Sequence, residues 1–325
     1  MARYILKRLI AVIPVLIGVS FVVFFVTDLA PGDVADVLAT GEMTVEEIEA
    51  LRESLGLNRS VFIRYAEYMW SLLQGDLGTS YATGKDVFTS YMSRLPETLK
   101  LAVASTVFAA GISVPLGIYT AKHRGSWQDS GAMVIALLGL SMPGFFVGLM
   151  LIIVFSLNLG WLPSGGNKGF IYIIMPAISA GASMLATMTR TTRSAMLDAL
   201  SMDYLDLARS KGVTEKVVIN KHALKNAMIP IITIVGTQFA GNLGGVTVVE
   251  KLFSWPGVGS FIVDGVTNRD IPVVCGGVIL STTMVALCLL AIDILYAFVD
   301  PRIKAKYAKQ GMKKKRKKAE KGAAA

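Results

Sequence analysis

Six long runs of apolar residues alternate with polar segments along the chain, and each run extends for at least 18 residues without a charged side chain. About 20 apolar residues in a helix are enough to cross the hydrocarbon core of a bilayer. The pattern therefore predicts an all-α, polytopic membrane protein with six transmembrane helices. The runs cover residues 9–26, 101–121, 131–162, 170–189, 227–249 and 271–292.

The third run, 131–162, is longer than one span requires. We expect its end to leave the bilayer near Gly160-Trp161-Leu162-Pro163. Within it, the segment Ser141-Met142-Pro143-Gly144 contains a proline, which lacks a backbone N–H and is expected to bend the helix. This segment is a candidate gate in the transport pathway, and a bend that serves packing alone is the alternative.

The first run, 9–26, follows Arg3, Lys7 and Arg8, a charge pattern that also begins secretory signal peptides. Its length and the lack of a small-residue cleavage pattern before Thr27 favour a retained membrane span. Residues 1–30 are therefore interpreted as an N-terminal region with the first span.

Two pairs of glycines are spaced to lie on one face of a helix. They are Gly144-xxx-Gly148 and Gly241-xxx-Gly245. Small residues at this spacing let neighbouring helices approach closely, so we expect both pairs to be packing sites.

Residues 31–97 separate the first two runs and are predicted to form a short helical insertion. Thr44 is a plausible N-cap, because glutamates follow it in the first turn of a helical pattern that ends before Gly56. Residues 61–73 repeat apolar side chains at helical spacing. We expect two or three short helices that pack over the ends of the spans.

The loop between the fourth and fifth runs, residues 190–226, has helical character on both sides of Gly212. Glycine at this position suits the left-handed conformation that ends a helix, and Thr214 can cap the next one. Charged and apolar side chains alternate in this loop, which favours a docking element over a solvated loop.

Composition agrees with the membrane assignment. Hydrophobic residues make up 53% of the 325 residues and charged residues only 17%, against roughly 25% in a typical soluble domain. The mean hydropathy is +0.57. These values exclude a disordered chain and an ordinary soluble enzyme.

The formal net charge of +9 comes from one end of the chain. Residues 301–325 hold eleven Lys or Arg and a single acid, Glu320, so the rest is almost neutral. We interpret 304–325 as a disordered basic tail that is attracted to anionic lipid headgroups, and we do not expect nucleic-acid binding.

Basic residues also indicate the orientation of the spans. They cluster before the first run, between the second and third, between the fourth and fifth, and after the sixth. With six spans these places share one side, so the positive-inside rule predicts cytoplasmic N- and C-termini in a cell membrane. Residues 33–97, with eleven acids and five bases, would lie outside.

Motif searches predict no catalytic site and no metal site. The segment from Gly78 to Asp86 resembles a phosphate-binding loop, but five residues separate its glycines where that loop has four, and Asp86 replaces the hydroxyl residue. No His or Cys cluster has metal-site spacing. Asp293 is the one acid within a span; we expect it to be hydrated or paired with Arg302, and a functional role is the alternative.

Several motifs together resemble those of the permease subunits of ABC importers. The segment from Asp206 to Gly212 matches the spacing of the EAA-xxx-G signature, with Asp206 in place of its glutamate and Leu207 in place of an alanine. These departures resemble the B-type permease of the dipeptide, oligopeptide and nickel family. Further matches are Pro31-Gly32-Asp33, Leu55-Gly56-Leu57, Gly75-Asp76-Leu77-Gly78, Arg94-Leu95-Pro96-Glu97-Thr98, Leu159-Gly160-Trp161-Leu162-Pro163, Asp203-Tyr204, His222-Ala223-Leu224, Phe253-Ser254-Trp255-Pro256-Gly257 and Asp300-Pro301-Arg302.

The resemblance implies a type I importer permease whose core is residues 98–303 and whose loop 190–226 couples it to an ATPase. It implies a homologous second permease, two ATPase subunits that hold the ATP and Mg, and an extracytoplasmic binding protein that delivers a short peptide or a related small solute. This chain would bind no cofactor and would not be an enzyme. The implied coupling residues are Asp203, Tyr204, Asp206, Ala208, Arg209, Lys211 and Gly212.

Two other classes of protein have similar spans. A secondary transporter or channel with six spans usually places ionisable groups within the membrane, whereas the first five runs contain none. An intramembrane enzyme needs converging polar groups, and no such set is evident. Copurification with an ATPase separates the importer permease from both alternatives.

Overall fold

The computed structural model describes residues 2–39 and 43–299. Arg302 and the basic tail 304–325 lie outside this part of the chain. The described residues form an all-helical protein, in which the only strand-like pairing is a bridge between Thr79 and Asp86. The predicted all-α class is therefore confirmed.

The helices divide into long spans and short connecting elements. The spans are α1 (Ala2–Leu29), α5 (Val87–Lys122), α8 (Phe170–Leu200), α11 (Leu224–Gly245) and α14 (Ile271–Val299), together with the pair α6 (Trp127–Ser141) and α7 (Gly144–Leu151), the latter continued by the π-helix Ile152–Asn158. The short helices are α2 (Val34–Leu38), α3 (Val45–Ser54), α4 (Val61–Leu73), α9 (Asp203–Ser210), α10 (Glu215–Val217) with the π-helix Val218–Ala223, α12 (Thr247–Leu252) and α13 (Val258–Thr267).

The six apolar runs correspond to five unbroken apolar helices and one broken pair, α6 and α7, whose axes differ by 97°. The third run is thus more sharply divided than a simple bend. The fifth run also differs from the prediction, because its helix ends at Gly245 and the remaining residues begin α12. The predicted six spans are confirmed if the broken pair is taken as one of them.

The insertion folds as its local sequence predicts. Thr44 caps α3: its hydroxyl accepts a hydrogen bond from Glu47 N, and the Glu47 carboxylate accepts one from Thr44 N at 2.7 Å. This reciprocal pair satisfies two backbone donors that a helix start leaves free. The predicted boundary at residue 97 falls inside α5, which runs without interruption from Val87 into the second span.

Aromatic packing fixes the insertion to the first span. The ring of Tyr65 on α4 meets the rings of Phe21 and Phe24 on α1 edge-on, with centroids 5.6 and 5.4 Å apart. Phe24, Ile271 and Cys275 are buried in the same cluster. The insertion therefore packs against the end of α1 and the start of α14, and we name this end of the bundle the insertion end.

The opposite end of the bundle carries the segment 201–223, and we name it the loop end. Here the end of α5, the end of α8 and the start of α11 share a buried apolar cluster that includes Ala121, Met196 and Ile231. At the same end of α14, Asp293 forms an ion pair with Arg8 of α1 at 2.5 Å. The packing of α1 against α14 brings Arg8 to Asp293. The expected pairing of Asp293 with Arg302 lies outside the described residues.

Candidate functional site

The segment from Asp203 to Gly212 forms the most prominent short helix of the loop end, α9. Leu205 anchors it, because this side chain is fully buried among Met196, Ala199 and Val218. Ala208 is partly buried and packs against the same cluster. One face of α9 thereby packs into a cluster that α8, the π-helix Val218–Ala223 and α11 share.

Gly212 makes the turn that ends this helix. Its φ is +80°, as the sequence predicts, and its N–H donates to Arg209 O at 2.9 Å. No atom of the described residues lies within 4 Å of the position a Cβ would occupy, so backbone conformation is what favours glycine here. Thr214 takes the N-cap position of α10, although its side chain makes no capping hydrogen bond.

Ion pairs hold the two sides of this turn together. Arg209 donates to Asp206 at 2.8 Å and to Glu215 at 3.0 and 3.1 Å. The hydrogen bonds to Glu215, and then to Asp206, raise the pKa of Arg209. Arg209 therefore serves the internal geometry of the loop, although the sequence pattern grouped it with the residues that meet a partner.

Tyr204 connects α9 to the start of α11. Its hydroxyl accepts a hydrogen bond from Asn226 Nδ2 at 2.5 Å and donates to His222 O at 3.3 Å. Together with Leu205 and Arg209, this contact orients α9 through three separate attachments.

The outward face of α9 combines acidic and apolar side chains. Of the residues assigned to coupling, Asp203, Asp206, Lys211 and Gly212 are exposed. Two apolar side chains that were not among the predicted residues, Met202 and Leu207, are also exposed, at 53% and 59%. Leu207 lies two positions after the buried Leu205, about 200° around the helix, and so on the opposite face of α9.

The second predicted region, Ser141 to Gly144, lies at the break between α6 and α7. Met142 N still donates to Leu138 O at 3.2 Å, and Pro143 then begins α7 without an N–H of its own. Ser179 of α8 donates to Gly144 O at 2.8 Å. The break is consequently an ordered turn that is attached to α8.

Of the two glycine pairs, the structure supports one as a packing site within this chain. A Cβ on Gly148 would lie 2.6 Å from Leu252 and 2.8 Å from Ser179 Oγ, so only glycine fits there. Nothing lies within 4 Å of the corresponding position at Gly241, which is exposed. The expected packing at Gly241 is thus not made by residues 2–39 and 43–299 of this chain.

Three buried acids were not predicted. Asp129, Glu250 and Asp270 are 3%, 0% and 1% exposed. Each accepts at least two hydrogen bonds: Asp129 from Arg193 and Gly125, Glu250 from Thr98 and Ser260, and Asp270 from Ser80, Ala82 and Val273. Because each flanks an apolar run, its burial is not visible in the sequence.

No group of three His, Cys, Asp or Glu side chains within residues 2–39 and 43–299 is arranged to hold a metal ion. The segment from Gly78 to Asp86, which resembles a phosphate-binding loop in sequence, forms a tight turn. In it, Ser80 N donates to Lys85 O at 2.9 Å and Gly84 N donates to Ser80 O at 2.8 Å. Ser80 binds the buried Asp270, so this turn has a structural use.

Two protein-family models together match nearly the whole chain. Residues 113–305 match the model described as "Binding-protein-dependent transport system inner membrane component", and residues 1–102 match the N-terminal model of the same type of protein. One match ends and the other begins within α5, with residues 103–112 between them.

Individual relatives and one solved structure agree with these matches. The "Glutathione transport system permease protein GsiC" of Escherichia coli (strain K12) is 41% identical over 306 residues, which are 94% of this chain and all of the relative. The protein of the same name from Escherichia coli O6:H1 is 42% identical over the same lengths. This chain superposes on a chain of an inward-facing structure of the MetNI methionine ABC transporter with a TM-score of 0.56 and 18% sequence identity. The superposition covers 66% of this chain and 97% of the MetNI chain.

Proposed function

Because this chain belongs to the family of binding-protein-dependent transport system inner membrane components, the permeases of ABC importers of the peptide and nickel type, we propose that it forms half of the translocation pathway of an ATP-driven importer of short peptides. It is a multi-pass inner membrane protein, and its likeness to the MetNI structure confirms the predicted type I importer fold. A permease of this family is a transport subunit and not an enzyme by itself.

Short peptides are the proposed substrates because the relatives that match over their full length are named as glutathione permeases, and glutathione is a tripeptide. An extracytoplasmic binding protein would deliver the peptide to the insertion end. A second, homologous permease would complete the pathway, and the break at Ser141–Gly144 would contribute to its gate.

The observation that supports ATP coupling is the outward face of α9. A helix that is anchored by Leu205 and closed by Gly212, with Asp203, Leu207 and the preceding Met202 exposed, suits insertion into a cleft of another protein. Buried apolar side chains supply most of the affinity in such contacts, and charges at the rim set orientation. We therefore propose that α9 docks on one of two ATPase subunits, which bind ATP and Mg.

Neither the family membership of this chain nor the environment of its buried acids supports a secondary transporter. A proton-coupled carrier commonly uses an ionisable side chain within the membrane to take up and release its proton. Among the described residues, the carboxylates of Asp129, Glu250 and Asp270 are already engaged by hydrogen bonds within the chain.

The experiment that tests this function is transport by the reconstituted assembly. The permease, its partner permease, the ATPases and the binding protein are placed in proteoliposomes with ATP on the ATPase side. Uptake of labelled glutathione, dipeptides and oligopeptides should require both ATP and the binding protein. Peptide uptake driven by an ion gradient without the ATPase would contradict the proposal, and uptake of a nickel chelate alone would contradict its substrate.

The orientation is tested separately by thiol labelling. We propose that the loop end and both termini are cytoplasmic and that the insertion end faces outward. A cysteine at Thr83, which is exposed, should then react with an impermeant reagent in spheroplasts, whereas one at Lys314 should not. The opposite labelling pattern would reverse the orientation.

A further inference from the structure

The ion pair between Asp129 and Arg193 joins the first turn of α6 to α8. Arg193 Nε donates to Asp129 Oδ1 and Arg193 Nη2 to Asp129 Oδ2, both at 2.6 Å, and Gly125 N adds a third hydrogen bond at 3.0 Å. The Asp129 side chain is 5% exposed. A two-pronged pair of this kind fixes the relative direction of its partners as well as their separation.

A second attachment lies just beyond the other end of α6, at the first residue of α7. Ser179, fully buried on α8, donates to Gly144 O at the break. A Cβ on Gly144 would lie 3.0 Å from Ser179 O, so the two backbones are in close contact. The residues of α8 that make these attachments, Ser179 and Arg193, are about 21 Å apart along a helix.

Between these two points α6 lies against α8 through small residues. A Cβ on Gly139 would lie 3.9 Å from Ala186 Cβ and 4.0 Å from Ala182 O. The helices run in opposite directions, since the start of α6 meets the later part of α8. Helix α6 is therefore attached to α8 at its start and in contact with it in the middle, and the break that follows α6 is attached to α8 through Gly144.

The same α8 leads directly into α9. Only Ser201 and Met202 separate the two helices, and Leu205 packs back against Met196 and Ala199 of α8. The contacts thus form a continuous connection from α9, through α8 and α6, to the break at Ser141–Gly144.

We propose that Asp129 and Arg193 are positioning residues that make the break between α6 and α7 move together with α9. This inference rests on the proposed function, because it assigns α9 as the helix that the ATPase moves. Stability alone does not call for this pair, since apolar residues of similar volume often replace a buried ion pair without loss. What the pair supplies is a fixed direction between the two helices.

The test measures peptide uptake per ATP hydrolysed by the reconstituted importer. The variants are Asp129→Asn, Arg193→Gln and the double variant. Arg59→Gln, which breaks the exposed pair between Arg59 and Glu67 in the insertion, is the matched control. Permease abundance and ATPase copurification are measured for each.

Both single variants should retain ATPase copurification and ATP hydrolysis, while uptake per ATP falls about tenfold, a typical size for coupling between sites. The double variant should be no worse than either single variant, because the two residues act as one unit. Arg59→Gln should match the wild type. Unchanged uptake per ATP in the single variants, or losses that add in the double variant, would overturn the proposal.

Two further measurements keep the result decisive. If Asp129→Asn does not accumulate in the membrane, Arg193→Lys becomes the deciding variant. Lysine keeps the positive charge but cannot make the two parallel hydrogen bonds of the guanidinium group, so uptake per ATP should fall by the same factor. Hydrogen exchange on the purified permease tests the attachment independently of transport: Asp129→Asn should speed exchange in α6 more than in α9. Equal protection of α6 in both proteins would refute the attachment, whereas absent ATP-driven uptake by the wild type would refute the proposed function instead.

Discussion

Thr98 Oγ1 donates a hydrogen bond of 2.6 Å to Glu250 Oε1, joining the second span to the short helix α12. The same hydroxyl accepts a hydrogen bond from Val258 N at 2.9 Å, and Ser260 N donates to Glu250 Oε2 at 2.9 Å. Thr98 and Glu250 together satisfy backbone donors at the start of α13. This small network fixes the connection between the fifth and sixth spans.

The first prediction is that Thr98→Val destabilises the permease by about 3 kcal/mol, because it leaves a buried carboxylate oxygen and the Val258 N–H without partners. Thr98→Ser, which keeps the hydroxyl, should lose much less. Thermal unfolding in detergent gives both values. Equal stability of Val and Ser at this position would show that the hydroxyl is not needed.

The second prediction concerns pH. Burial raises the pKa of Glu250 above its ordinary 4.5, with the hydrogen bonds from Thr98, Ser260 and Gly259 opposing that change. Because the pKa of Glu250 is higher in the folded than in the unfolded state, folding favours the protonated carboxyl. The contribution of this protonation to the free energy of unfolding is complete below pH 4.5 and is lost as the pH rises through the folded pKa.

The melting temperature of the wild type relative to Glu250→Gln should therefore fall as the pH rises from the acid range toward neutrality. The glutamine variant provides the control, since it has no group to titrate at this position. Parallel curves for the two proteins would contradict the raised pKa.

The third prediction separates the two glycine pairs. Gly148→Val should destabilise the permease by about 1–3 kcal/mol, because the new side chain meets Leu252 and Ser179. Gly241→Val should have little effect on the isolated permease, since its position is open. If Gly241→Val instead reduces copurification of the second permease, Gly241 packs against that subunit. Equal loss of stability from both substitutions in the isolated chain would contradict the structure.

The fourth prediction concerns the apolar face of α9. Leu207→Ser should reduce ATPase copurification about tenfold, the effect of losing roughly 1.4 kcal/mol of binding free energy. Its effect on stability should be small, because Leu207 is 59% exposed. Val45→Ser, at a position 84% exposed in the insertion, is the control. Normal copurification of the Leu207 variant would remove this face from the proposed interface.

Features that depend on local chemistry follow from the sequence. The N-cap at Thr44, the left-handed turn at Gly212 and the interruption at Pro143 each require only a few neighbouring residues. The apolar runs likewise predict the spans, because each length is set by the thickness of the bilayer.

Features that depend on packing between distant segments do not follow from it. Asp293 pairs with Arg8 because α1 lies against α14, a contact between distant parts of the chain. In the sequence, Glu250 is only a polar residue at the end of the fifth apolar run. In the structure it is buried because α13 packs over it. In the loop, Ala208 and Arg209 belong to the signature, yet the structure uses them for internal packing and pairing.

The most direct test of the proposed coupling is ATPase copurification and substrate-stimulated ATP hydrolysis for Gly212→Val. A β-branched residue at φ +80° strains the turn by about 1–3 kcal/mol while the spans remain unchanged, so α9 is misdirected but the protein still inserts. Gly75→Val, at φ +86° and equally open in the insertion, imposes the same backbone strain away from α9. We predict normal membrane abundance for both variants, and loss of ATPase copurification and of stimulated ATP hydrolysis only in Gly212→Val. Wild-type copurification and hydrolysis in Gly212→Val would contradict the role assigned to this loop. Equal losses in Gly75→Val would contradict it as well.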